Sequence, residues 1–277
     1  MLCLLSAEAY KLGKSKSFYI CMASMVSVVF LMYGMFVIAD RIERGELENG
    51  TGGVVITQDG ERMESGGGSI WEQVGIMEML SQIFSGDLVA CMTSIFISIF
   101  VIGEHTSGMV KNIVGKGNAR GVIFLSKLLV TEAGVIIMVT VSVAATLLAG
   151  RMFIGDCAFA GDFRENFLAY TGVQYLNVIA LTAVFVLTGE LTRNLAAGIS
   201  LGIGVAVLPV LILTGLDMAL GESSISLSRY WMVSRSGSCP LEGITSGYAV
   251  ETALIAGIWL IAATALGMWH FYRADIR

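Results

Sequence analysis

Six long runs of apolar residues, separated by stretches where the charges gather, set the pattern along this chain. They are Phe18–Ala39, Phe84–Ile102, Leu128–Ala149, Val173–Leu191, Ala196–Leu216 and Ala249–Trp269. A hydrocarbon layer of ~30 Å takes ~20 residues of helix to cross, and every run meets that length. In lipid a helix satisfies its own backbone hydrogen bonds, so the pattern predicts an all-α membrane protein with six transmembrane helices in one domain, 1–277. The fourth and fifth runs are split only by Thr192-Arg193-Asn194-Leu195, which predicts a tight hairpin.

The polar stretches predict the rest of the plan. Residues 1–17 form a short amphipathic helix ahead of the first span, and 40–83 form the largest loop. Within that loop Val54-Val55-Ile56-Thr57, Asp59-Gly60 and Glu61-Arg62-Met63 predict a small hairpin, because Asp-Gly suits a tight turn. Asn49-Gly50-Thr51 fits a glycosylation sequon. From Ile70 to Ile83 apolar and polar residues alternate at helical spacing. Two arrangements fit: an amphipathic helix at the interface with Trp71 at headgroup level, or the start of the second span. Residues 217–248 carry Tyr230, Trp231 and Cys239-Pro240, and read either as an interfacial loop or as a segment dipping back into the membrane.

Composition agrees with this plan and excludes a soluble domain. Apolar residues make up 55% of the 277 and charged residues 14%, against about 25% charged in soluble domains. Lys11, Lys14 and Lys16 precede the first run as in a signal peptide, but the run is long enough for a retained span. With both termini inside, the inner segments carry ten Lys and Arg and the outer ones seven, while eight acids crowd the first outer loop. The positive-inside rule therefore predicts cytoplasmic termini and a cytoplasmic loop over 103–127. The net charge of -5 gives no reason to expect nucleic acid.

Candidate chemistry is sparse. The cysteines form no CxxC pair and no cluster with histidine, so no metal site is expected; Cys157 and Cys239 both fall outside, as a disulfide or as two free thiols. A phosphate-binding loop GxxxxGK[ST] is absent: Gly115-Lys116 is followed by Gly117 and has Val110 where the first glycine belongs, and Gly13-Lys14-Ser15 has Glu8 there. No HExxH or GxSxG motif occurs, so no catalytic residue is assigned and the chain is expected not to be an enzyme. Asp87, Glu132, Glu190 and Glu251 all lie near span ends, where an ion relay is disfavoured because relays run deeper. In the fifth run Gly198, Gly202 and Gly204 give small-residue spacing for close helix packing, either within one chain or between two. Pro209 predicts a kink there.

The loop between the second and third runs is the most informative segment. Glu104 closes a span, Met109–Val114 has helical potential, and Gly115 and Gly117 lead to Arg120 and Lys127. A small surface helix rimmed by basic residues is suited to dock a soluble partner. The stretch TSGMVKNIVGKGNARGVIFLSKLL, together with the amino-terminal LLSAEAYKLGKSKSFYI, resembles the type-2 export permeases of ATP-binding cassette transporters. The likeness is closest to the branch of bacitracin-resistance and lantibiotic-immunity permeases, and it covers most of the chain. Many of those proteins have a proline two residues before the arginine, where this chain has Asn118.

The resemblance implies a permease subunit in a bacterial plasma membrane that exports a hydrophobic or amphipathic substrate, such as a peptide antibiotic or lipid. It implies a homo- or heterodimer resting on separate ATPase subunits, which hold the ATP and Mg; this chain holds no cofactor. Glu104, Gly108, Lys111, Asn112 and Arg120 would then dock the ATPase, with Glu8, Lys11 and Lys14 on the N-terminal helix beside them. The alternatives are a self-contained carrier or channel, and a membrane sensor subunit that transports nothing.

Overall fold

The computed structural model describes residues 2–43, 75–85, 88–106, 119–153, 163–192, 194–220, 226–241 and 243–273. The expected hairpin at 54–63, the sequon at Asn49, Asp87 and 107–118 of the inner loop lie outside these residues. The described chain is helical, with no strand among these residues. Its elements are α1 (Leu2–Lys14), α2 (Lys16–Glu43), α3 (Ile76–Ser85), α4 (Leu88–Thr106), α5 (Arg120–Phe153), α6 (Phe163–Thr192), α7 (Leu195–Leu220), a 3-10 turn (Ser228–Tyr230), α8 (Met232–Gly237) and α9 (Ser246–Arg273).

Five helices, α2, α5, α6, α7 and α9, are long and apolar enough to cross a membrane. A sixth crossing results if α3 and α4, which meet at 42°, are one bent span. The protein is therefore an all-α, multi-pass membrane protein, with five or six spans among the described residues. Both α1 and the C-terminal end of α9 meet the first half of α5: Leu12 packs 3.2 Å from where a Cβ on Gly134 would stand, and Tyr272 lies 2.9 Å from that position on Gly121. The first and last helices thus share one end of the bundle, called the near end below.

Except for the second run, Phe84–Ile102, which is divided between α3 and α4, the helices extend beyond the apolar runs that announce them. In particular α5 starts at Arg120 rather than Leu128, which takes 120–127 out of the expected loop. The reason is local: Arg120–Lys127 carries no proline, and Ile123, Phe124 and Lys127 all find buried neighbours.

Burial divides the bundle into a centre and a rim. Helix α6 is the centre, with 72% of its apolar window buried, against 17% for α7 and 22% for α2 and α9. Leucine, isoleucine and methionine side chains on the rim helices, among them Leu31, Met35, Leu211 and Ile261, point outward. In hydrocarbon that exposure costs nothing, so packing rather than apolarity must hold the spans together. Small residues supply it. A side chain at Gly198 would clash with Ile102, and one at Gly202 with Ser94, so both glycines seat α7 on α4 of the same chain. Gly204 differs from the expectation: its only near neighbour is Leu208 of its own helix, 3.7 Å away. Pro209 lies inside α7, which is continuous from Leu195 to Leu220.

Two short helices fill the far end. Helix α3 does not turn its apolar side outward. Its apolar residues Ile76, Met79, Leu80, Ile83 and Phe84 are all buried, and Ile76 reaches the surface of α5 beside Gly150. Helix α8 dips into the bundle, with Trp231, Met232, Val233, Arg235 and Ser236 buried. Asp217 of α7 accepts from the backbone N–H groups of Leu227 (2.7 Å) and Ser228 (3.0 Å), which starts the 3-10 turn. Arg235 fastens α8 to α9. Its Nε donates to Thr252 Oγ1 at 2.8 Å, its guanidinium lies 4.7 Å from the Tyr248 ring, and Glu251 Oε1 is 3.5 Å from Nη1.

Candidate functional site

At the near end five charged side chains from four helices converge. Helix α1 brings Glu8 and Lys11, which sit one turn apart and so point the same way. Helix α4 brings Glu104 from its last turns, α5 brings Lys127 from its third, and α6 brings Glu190 from its final turn. Lys127 Nζ lies 2.9 Å from Glu104 Oε2 and 2.7 Å from Glu190 Oε1. Lys11 forms an ion pair with the other oxygen of Glu104 and lies 3.9 Å from Glu8 Oε2. Glu104, Lys127 and Glu190 are each no more than 2% exposed.

Aromatic rings line the cluster. Lys11 Nζ is 5.0 Å from the centre of the Phe100 ring, and Lys127 Nζ is 5.8 Å from that of Phe271. These cation–π contacts offset part of the cost of taking the ammonium groups out of water. Glu8, like Lys11, belongs to the short helix outside the spans. Burial raises its carboxyl to about 7, and the neighbouring Glu104 carboxylate adds to the rise against the pull of Lys11. With Glu8 protonated, two ammonium groups face two carboxylates among the described members.

The geometry brings together part of the expected docking set. Glu8, Lys11 and Glu104 meet directly. Lys14 does not join them; its Nζ sits 4.8 Å over the Tyr10 ring. Arg120 is engaged at the same end, where Nη1 donates to the Tyr272 carbonyl at 2.9 Å. That bond satisfies a carbonyl in the last turn of α9, which helical geometry leaves without an intrahelical partner. Gly108, Lys111, Asn112 and Cys157 lie outside the described residues, and Cys239 is a buried free thiol. No group of three or more His, Cys, Asp or Glu side chains able to hold a metal occurs among the described residues.

Two members, Lys127 and Glu190, escape a reading by segments, which takes Lys127 as a basic residue of the inner loop and Glu190 as a lone charge near a span end. The signal was available in the alternation of the spans. If successive spans run in opposite directions, the end of the second, the start of the third and the end of the fourth share one level. A second departure is Glu132 on α5. It is buried, and neither carboxyl oxygen has a hydrogen-bond partner among the described residues.

The fold and this cluster define the class: a multi-pass helical membrane protein with a buried ion network at one end of its bundle. No family model and no curated protein matches the sequence.

Proposed function

We propose that this chain is the permease subunit of an ATP-binding cassette exporter, moving a hydrophobic or amphipathic substrate with ATP hydrolysed by a separate chain. The observation that carries the reading is the Lys11–Glu104–Lys127–Glu190 network. An ATPase that drives a permease must push on a surface that does not yield locally. The network ties α1 to the ends of α4 and α6 and to the start of α5, so a force on one element reaches three spans. Glu104 stands four residues before Gly108 and seven before Lys111, which places the proposed docking residues next in sequence to the network. The reading has both termini, and so the near end, on the cytoplasmic side, and pairs the chain with a second permease copy or paralogue.

The test is purification of the tagged full-length chain from its native membrane, with bound subunits identified by mass spectrometry. An ATP-binding cassette subunit is expected, and alanine at Lys111 and Asn112 should weaken its association and its stimulated ATPase rate. Full retention of both with the variants refutes the docking assignment.

Glu132 favours a second reading, an ion-coupled carrier that works alone. A buried carboxyl without hydrogen-bond partners within a span is costly and often functional. That reading expects pH-driven flux by the purified chain in liposomes, abolished in Glu132→Gln; no flux in wild type sinks it.

A further inference from the structure

The far end of the bundle carries a second polar feature, independent of how the near end is used. Helices α6 and α8 pack against each other, yet the seam between them is not apolar. Of thirteen buried side-chain N and O atoms without a hydrogen-bond partner among the described residues, two belong to Asn177 of α6, one turn beyond Gln174. Asn177 is 2% exposed and contributes both its Oδ1 and its Nδ2.

Asn177 also lines a cavity between α6, α8, α3 and α4 with about 20 Å³ of room for the centre of a water-sized sphere. Ser236 is the other polar residue in its wall; the remainder, including Phe84, Val89, Leu181 and Met232, is apolar. A water needs roughly 10–15 Å³ measured this way, plus polar partners. The Ser236 hydroxyl donates to Gln174 Oε1, and the Ser236 carbonyl accepts from Gln174 Nε2 at 3.0 Å. With its proton so committed, Ser236 Oγ presents lone pairs only. Gln174 and Asn177 are three residues apart, on one face of α6.

We propose that the Asn177 cavity is a binding site for an internal water that joins α6 to α8. The water accepts from Asn177 Nδ2 and donates to Ser236 Oγ. It makes the α6–α8 seam a wet joint, in contrast to the charged clamp of Arg235 that holds α8 to α9.

Hydroxyl-radical footprinting by X-ray radiolysis, on the full chain in lipid nanodiscs, tests the site. Radicals form from bound water, so Met232, 1% exposed, should be oxidised faster than Met25 and Met138, both 0% exposed and away from this cavity. Asn177→Leu, which fills the site with a similar apolar volume, should bring Met232 down to the rate of those two. Equal rates for the three methionines in wild type overturn the proposal, whatever the fate of the variant. An unchanged Met232 rate in a folded Asn177→Leu also overturns it.

Discussion

Replacing Lys127 by methionine tests whether the near-end network holds the bundle together. Methionine keeps the length and most of the volume of the side chain, so the change removes the ammonium and little packing. Two close ion pairs vanish, to Glu104 at 2.9 Å and to Glu190 at 2.7 Å, at a position 1% exposed. Removing one partner of a buried ion pair costs about 3–5 kcal/mol, because the charges that stay behind keep their desolvation cost. In a protein of this size about 1 kcal/mol moves the thermal midpoint by roughly 2–4 °C. The expected fall is therefore on the order of 10 °C, read as the midpoint of thermal aggregation or tryptophan fluorescence in detergent. A double change, Lys127→Met with Glu190→Gln, should recover part of that loss, since it removes the stranded charge together with its partner. A midpoint for Lys127→Met within about 2 °C of wild type, which is under 1 kcal/mol on the same scale, refutes the argument that this network carries structural load.

Glu8 gives a pH dependence whose sign follows from its raised carboxyl, about 7 in the folded protein against 4.5 in a free chain. Folding takes up a proton between those values, so stability should fall as pH rises from about 5 to about 8, by at most ~3 kcal/mol. Glu8→Gln should flatten thermal midpoints across that range and exceed wild type at the alkaline end; parallel curves refute the assignment. At the α4–α7 contact, Gly202→Val should lower the midpoint, since its side chain meets Ser94, whereas Gly204→Val should shift it little, having only Leu208 nearby; equal effects would mean that α7 does not seat on α4 this way. Arg235→Leu should loosen α8, losing the bond to Thr252 and the ring contact with Tyr248, and so speed hydrogen exchange over 226–241; unaltered protection counts against the clamp. Burial pushes the Cys239 thiol up to about 11, so it should resist maleimide at neutral pH until the protein is unfolded; rapid labelling of the native protein contradicts its burial.

How much of this could be read from the sequence depends on which interaction decides each feature. The spans were legible because hydrocarbon imposes one requirement, length of uninterrupted apolar helix, and that requirement is local in sequence. The start of α5 was not, because Lys127 looks like a loop residue until Glu104 and Glu190 are beside it. A lysine within a helix is costly in lipid and unremarkable in a network, and only the tertiary arrangement says which applies. The short helices fail for the same reason in reverse. Helix α3 has the pattern of an interfacial helix, and what overrules it is α5, where Ile76 meets Gly150, together with α8, which comes in from more than 140 residues later. Gly198, Gly202 and Gly204 lie along one stretch of α7, and spacing alone does not show that α4 passes the first two and misses the third. The candidate docking set divides along the same line. The resemblance puts Glu8 and Lys11 near Glu104, and the geometry gives that nearness a cause: three buried carboxyl groups and two ammonium groups, from four helices, that no single helix can accommodate in lipid. A charge at the end of an apolar run is thus best read together with the charges at the matching ends of its neighbours, since the alternation of spans decides which of them meet.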